Sequence, residues 1–322
     1  MIESILTLGP ASSDEDTIIS LLEVAGRFRL NTSHMSCGEI ALWLKKLERL
    51  FAERSRKIDV VMDLQGSKMR IGEIKSFDTF PEKICFFYGV SSDKADMIPV
   101  PHTEFFSAVK KGDHLSLNDN RIIVEVTGIS KDEVTCRVIR NGKLSSRKGI
   151  NRSNHPIPFE KLSSKDEEII KISMMFDFTQ FAFSFVFDGN ESEKIRPLAK
   201  DRKIIAKIER PEAMANLKKI DRLFDEMWLC RGDLGAQAGI FQLGRLQEEF
   251  SSQLKEFKKP CILAGQVLEH MTNFHEPTRS EVVHLYDIEK RGYKGFVLSD
   301  ETAVGKNPLS IAVFLKEYNS LR

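Results

Sequence analysis

The chain has 322 residues, 41% of them hydrophobic, and a formal net charge of +1. That length suits one large α/β domain plus a smaller one, and the near-zero charge gives no electrostatic reason to expect nucleic acid or an anionic membrane. No apolar run approaches the roughly 18 residues of a membrane span, and MIESILTLGP lacks the parts of a signal peptide.

The cysteines Cys37, Cys85, Cys136, Cys230 and Cys261 are odd in number and scattered without a CxxC pair. Reduced thiols in a cytoplasmic protein are expected.

Short apolar runs alternate with helical segments from the start. Residues 5–8 read as a strand ended by Gly9-Pro10. Ser13 is expected to cap a helix through Ala25, with Asp14, Glu15 and Asp16 in its acidic first turn. A second strand covers 27–31, an amphipathic helix 36–54 and a third strand 58–64. The rhythm then changes. Residues 114–117, 121–128 and 133–139 alternate apolar and polar positions between turn signals such as Asn141-Gly142. A small β domain is therefore expected over 72–150, between barrel parts at 1–71 and 151–322.

After Pro158 the strand–helix alternation resumes. Strands are predicted at 179–186, 203–208, 227–230, 261–264 and 295–298. Helices are predicted at 163–175, 241–257, 280–290 and 308–321. Eight strands alternating with helices indicate an α/β fold of the (β/α)8 TIM-barrel class, with a small all-β lid domain inserted after strand 3. A doubly wound sheet is the alternative, but TLGPAS after strand one is not the glycine fingerprint such sheets often carry.

Barrel active sites lie at the C-terminal ends of the strands. Those ends read GPAS, RLNTSH, MDLQGSKMR, KIE, CRGD, AGQ and SDET. Residues two apart on a strand share a face, so Lys207 and Glu209 project together, and Asp233 follows the next strand. Neighbouring strands lie roughly 4.8 Å apart, close enough for Glu209 and Asp233 to share one divalent cation beside the Lys207 ammonium.

The motifs TLGPAS, RLNTSH, MDLQG…R, IIAKIE, CRGDLG, QVLEHM, PTRSE and SDETAVG stand in an order and spacing that resemble the pyruvate kinase family along almost the whole chain. The resemblance implies phosphoryl transfer between phosphoenolpyruvate and ADP, giving pyruvate and ATP. It implies Glu209 and Asp233 as ligands of magnesium or manganese. Lys207 and Arg29 become the cations on the phosphoryl group, and Gly232 and Asp233 the helix start that holds the substrate carboxylate. Gly265 lies beside the substrate, and Asn31, His34 and Arg70 fall where the family contacts nucleotide phosphates. The family also carries a C-terminal effector domain, which is expected to be absent here, leaving a monomer or homodimer.

Several positions depart from the family pattern. Asn31, Ser33, Asp63 and the backbone of Leu64 match a potassium site, yet Lys68 stands where potassium-dependent members carry Glu. Its ammonium is expected to replace the ion, so potassium is not required. Gly265 replaces a Thr in the proton-delivery path. Gln65 and Ser67 replace Lys and Pro, and Phe187 replaces a basic residue. Arg152-Ser153-Asn154 replaces Leu-Pro-Gly, and Cys230, read as a small core residue, replaces Ala. Two other functions stay open: a non-catalytic binding protein that retains the metal site, and a metal-dependent lyase acting on pyruvate enolates.

Overall fold

The computed structural model describes residues 2–66, 69–118, 121–152 and 162–321. Its strands, in chain order, begin with β1 (Glu3–Leu8), β2 (Arg27–Asn31) and β3 (Asp59–Leu64). There follow β4 (Glu73–Ile74), β5 (Lys83–Tyr88), β6 (Ser91–Ser92), β7 (Met97–Val100), β8 (His114–Leu117), β9 (Ile122–Ile129), β10 (Glu133–Arg140) and β11 (Ile150–Arg152). The chain then forms β12 (Thr179–Phe183), β13 (Ile204–Ile208), β14 (Glu226–Cys230), β15 (Cys261–Ala264) and β16 (Gly295–Leu298).

Strands β1–β3 and β12–β16 close into a barrel in the order β1-β16-β15-β14-β13-β12-β3-β2. Every neighbouring pair in it is parallel. The (β/α)8 reading of the sequence holds. Each strand is buried on both faces, so IIAKI and EMWLC read as almost continuous apolar runs.

The two-residue period stacks the barrel interior in layers. At the N-terminal end Arg27 binds Glu3 and Glu226, each at 2.8 Å, and Gln180 at 3.1 Å. Above that plug lie Ile5, Val61, Ala182, Ile205, Trp228, Ile262 and Val297. One more step along the same strands brings Thr7, Asp63, Ser184 and Lys207 to the C-terminal mouth, where they meet Arg29.

The second compact unit is inserted between β3 and β12. It contains a six-stranded sheet in the order β11-β8-β9-β10-β5-β7 and a two-stranded β4-β6 pair. Its apolar core includes Phe86, Phe105, Leu115, Val124 and Cys136. Its described residues also include a short helix, Thr103–Ala108, which the alternation did not signal. Arg70 pairs with Gly149, and Ile71 belongs to this core.

Local signals were shifted in places. The helix Glu15–Leu22 is capped by Asp14, whose carboxylate accepts from the Thr17 N–H at 2.9 Å, rather than by Ser13. The expected strand at 179–186 stops at Phe183, because Phe185 adopts a φ of +60°. The helix Cys37–Glu53 carries the full Ser36–Glu39 capping box.

Candidate active site

Lys207 is the second-last residue of β13 and faces the barrel axis. Its Nζ donates to Asp63 Oδ1 and Oδ2, both at 3.0 Å, and to Ser184 Oγ at 2.9 Å. It also pairs with Glu209 Oε1 at 3.0 Å. Arg29, two residues before the end of β2, donates to Asp63 Oδ2 through Nε at 2.9 Å and Nη2 at 2.5 Å. Its Nη1 reaches Thr7 Oγ1 at 2.9 Å and Ser299 Oγ at 3.4 Å. Both expected phosphoryl cations therefore converge on one carboxylate, and Lys207 and Glu209 share a face as the strand period required.

The electrostatics follow from burial and pairing. Burial opposes the Lys207 ammonium, but the Asp63 and Glu209 carboxylates outweigh it and hold its pKa above the ordinary lysine value. Burial works against the Asp63 carboxylate too, and Lys207 and Arg29 overcome it and keep it ionised below the usual range. Arg29 is stabilised in the same way by Asp63, against its own burial.

Glu209 is 1% exposed, and its Oε2 accepts the Phe185 N–H at 2.8 Å. A phenylalanine at φ +60° is a strained backbone; here it turns an N–H onto the carboxylate. Asp233 lies in the first turn of the helix Arg231–Ala238, which starts directly after β14, the hydrogen-bonded neighbour of β13. It is half-buried, and Gly232 beside it is exposed. Among the described residues no group of three or more His, Cys, Asp or Glu side chains is gathered for a metal. Two hard carboxylates nonetheless fit magnesium, which takes few protein ligands and completes its shell with water and phosphate oxygens.

Gly265 has a φ of +93°, and a Cβ there would stand 3.1 Å from the Gly232 nitrogen. The backbone of residue 265 thus lies directly against the helix start, in a conformation that disfavours any side chain. Its carbonyl is held by Arg231 Nε at 2.8 Å and Nη2 at 2.5 Å.

Other expected residues are placed separately. Asn31 ends β2 and Ser33 lies in the turn Thr32–His34; the Thr32 and Ser33 carbonyls accept from Lys165 Nζ at 2.8 and 3.3 Å. The His34 side chain, Ser67, Lys68, Ser153 and Asn154 lie outside the described residues. The Leu64 carbonyl accepts from Ser184 Oγ at 2.8 Å. Arg70 belongs to the inserted unit, where its Nη1 donates to the Arg147 carbonyl at 2.9 Å. Phe187, in place of a basic residue, stacks on the Arg210 guanidinium at 5.7 Å. Burial, then the Glu209 charge, pushes the Cys230 thiol well above its ordinary value, so it is protonated and suits packing rather than redox chemistry.

Sequence reasoning missed Thr7 and Ser184. Both were findable: each is two residues beyond an inward apolar position, Ile5 and Ala182, on its own strand. No helix of the described residues is long and apolar enough to cross a membrane.

A family model for the pyruvate kinase barrel domain matches residues 2–312. The chain is 33% identical over 311 residues to a pyruvate kinase of Agrobacterium vitis, covering 95% of this chain and 66% of that protein. It is 31% identical over 313 residues to a pyruvate kinase of Thermotoga maritima, covering 95% and 67%. The crystal structure of a pyruvate kinase from Pyrobaculum aerophilum superposes with a TM-score of 0.84 at 27% identity, over 98% of this chain and 72% of that one. One from Cryptosporidium parvum gives the same TM-score at 22% identity, over 98% and 67%. The chain spans about two thirds of the length of the relatives it matches in sequence.

Proposed function

The chain belongs to the pyruvate kinase family, and we propose that it transfers the phosphoryl group of phosphoenolpyruvate to ADP in a magnesium-dependent reaction. The observation that carries this reading is the convergence of Arg29 and Lys207 on Asp63, with Glu209 in contact with Lys207. In this reading Glu209 and Asp233 hold magnesium (or manganese), which when bound supplies positive charge to the phosphate oxygens.

Phosphoryl transfer depends on positioning and on charge placed in advance. Arg29 and Lys207 offer that charge from side chains fixed by Asp63, Thr7 and Ser184, so little reorganisation is needed during reaction. The bond between phosphorus and the enol oxygen breaks, leaving the electron pair on that oxygen, and a β-phosphate oxygen of ADP forms the new bond to phosphorus. The enolate left behind takes a proton at its methylene carbon to become pyruvate. The Gly232 and Asp233 N–H groups open a helix and suit the substrate carboxylate, with Gly265 beside them. Asn31 and His34 are assigned to the nucleotide phosphates. Lys68, by the resemblance to potassium-independent members, is proposed to make a potassium ion unnecessary.

Gly265 carries no hydroxyl, which favours phosphoryl transfer outlasting enolate protonation. The same residue is what favours the second reading, a protein that binds phosphoenolpyruvate and metal without turnover. A coupled assay for pyruvate, run beside phosphoenolpyruvate binding with and without magnesium, separates the two.

A further inference from the structure

Arg231 is the first residue of the helix Arg231–Ala238, and its guanidinium is spread over three partners. Nε and Nη2 donate to the Gly265 carbonyl at 2.8 and 2.5 Å, and Nη2 also donates to the Gln266 carbonyl at 2.8 Å. The remaining arm, Nη1, lies 2.9 Å from His284 Nε2, on the helix Arg279–Arg291. Arginine has donors only and does not deprotonate. His284 Nε2 is therefore the acceptor, its ring is neutral and its proton sits on Nδ1.

The consequence runs toward the candidate site. Gly265 and Gln266 both have positive φ, +93° and +53°, so this turn is not held by regular backbone geometry. Its carbonyls are tied to Arg231, and it packs against the Gly232 nitrogen. We propose that His284 is a proton-sensitive positioning residue, acting through Arg231 on the Gly265–Gln266 turn. A proton on Nε2 removes the His284 acceptor for Nη1 and sets two cations against each other. The guanidinium then withdraws from the turn.

The surroundings agree with a neutral ring. Half-burial and then the Arg231 charge lower the His284 pKa, Arg291 on its own helix adds to this, and Asp287 opposes it. Around Arg231, burial disfavours the charged guanidinium, and Tyr293 and Glu301, the other ionisable groups there, partly offset it. The proton-sensitive contact is thus the one between His284 and Arg231.

The effect on turnover rests on the function proposed above, so the test has an arm independent of it. In amide NMR spectra of the full chain, the Gly265 and Gln266 resonances are expected to shift with pH below about 6.5, the ordinary histidine value. In His284→Gln, which keeps a neutral acceptor at every pH, that shift is expected to vanish. In the coupled assay, kcat/KM for phosphoenolpyruvate is expected to fall toward acid pH through a rise in KM, with the bend removed in His284→Gln. His284→Lys is expected to show the acid phenotype at pH 7.5. Amide shifts that persist in His284→Gln, or that are absent from the wild type, overturn the proposal whatever the activity. Superimposable pH profiles of wild type and His284→Gln overturn it as well. A wild type with no turnover at any pH, but with His284-dependent amide shifts, sinks the proposed function and leaves the positioning role standing.

Discussion

Lys207 Nζ lies 3.0 Å from each carboxylate oxygen of Asp63, and one of the two, Oδ2, also takes the Arg29 guanidinium. This carboxylate orients both cations of the mouth. Lys207→Met is expected to abolish measurable turnover and to leave the Glu209 and Asp63 carboxylates buried with less compensation. Breaking a buried pair from one side costs about 3–5 kcal/mol, and Arg29 offsets part of that for Asp63. Urea unfolding beside the coupled assay checks both; a variant as stable as wild type contradicts the pairing.

Arg29→Lys keeps the charge and loses the fork. The parent side chain makes two bonds to Asp63 and one to Thr7, and a single ammonium cannot reproduce them. A loss in kcat of about 10²-fold is expected, the scale for removing one preorganised donor from a developing charge. Steady-state kinetics at saturating phosphoenolpyruvate reads it.

Restoring the family's hydroxyl is not a simple rescue. Gly265→Thr forces a β-branched residue into φ +93° and brings its Cβ to 3.1 Å from the Gly232 nitrogen. A destabilisation of about 1–3 kcal/mol is expected from the backbone alone, with lower turnover unless the turn reshapes. Thermal unfolding checks this, and an unchanged midpoint contradicts the conformation described here.

His102 gives the inserted unit an acid-sensitive point. Burial lowers its pKa, only partly offset by Glu104, and its Nε2 accepts the Arg70 N–H at 3.4 Å. A histidine with a depressed folded-state pKa binds its proton more readily when unfolded. Its stabilising contribution is complete above the ordinary value of about 6.5 and is lost as pH falls below it. The unfolding free energy is expected to drop between pH 7 and 5, and to drop less in His102→Gln.

The assay is expected to run at nearly the same rate in potassium and tetramethylammonium salts. The Asp63 carboxylate already faces two protein cations, and Lys68 is assigned the role of the monovalent ion. A steep potassium requirement contradicts that assignment.

The barrel was legible because parallel strands buried on both faces leave compact apolar runs between capped helices, as in IIAKIE and EMWLC. That Lys207 and Glu209 share a face followed from strand parity alone, whereas their ion pair did not. Other features depend on distant parts of the chain. Phe185 reads as strand, yet it turns out at φ +60° and donates its N–H to Glu209. Asp14 and Ser13 are both good caps, and the structure chose Asp14. Nothing local to His284 marks it, because its partner Arg231 is 53 residues away. Gly265 reads as a lost hydroxyl, whereas its position against Gly232 comes from the packing of a turn on a helix start.

The most direct measurement is phosphorus NMR of the full chain with phosphoenolpyruvate and ADP, with and without magnesium, beside Glu209→Gln. Expected is ATP formation with magnesium, lost on chelation and reduced at least about 10²-fold in the variant. ATP formation undiminished in folded Glu209→Gln, or none in a wild type that binds both substrates and magnesium, contradicts the proposed chemistry.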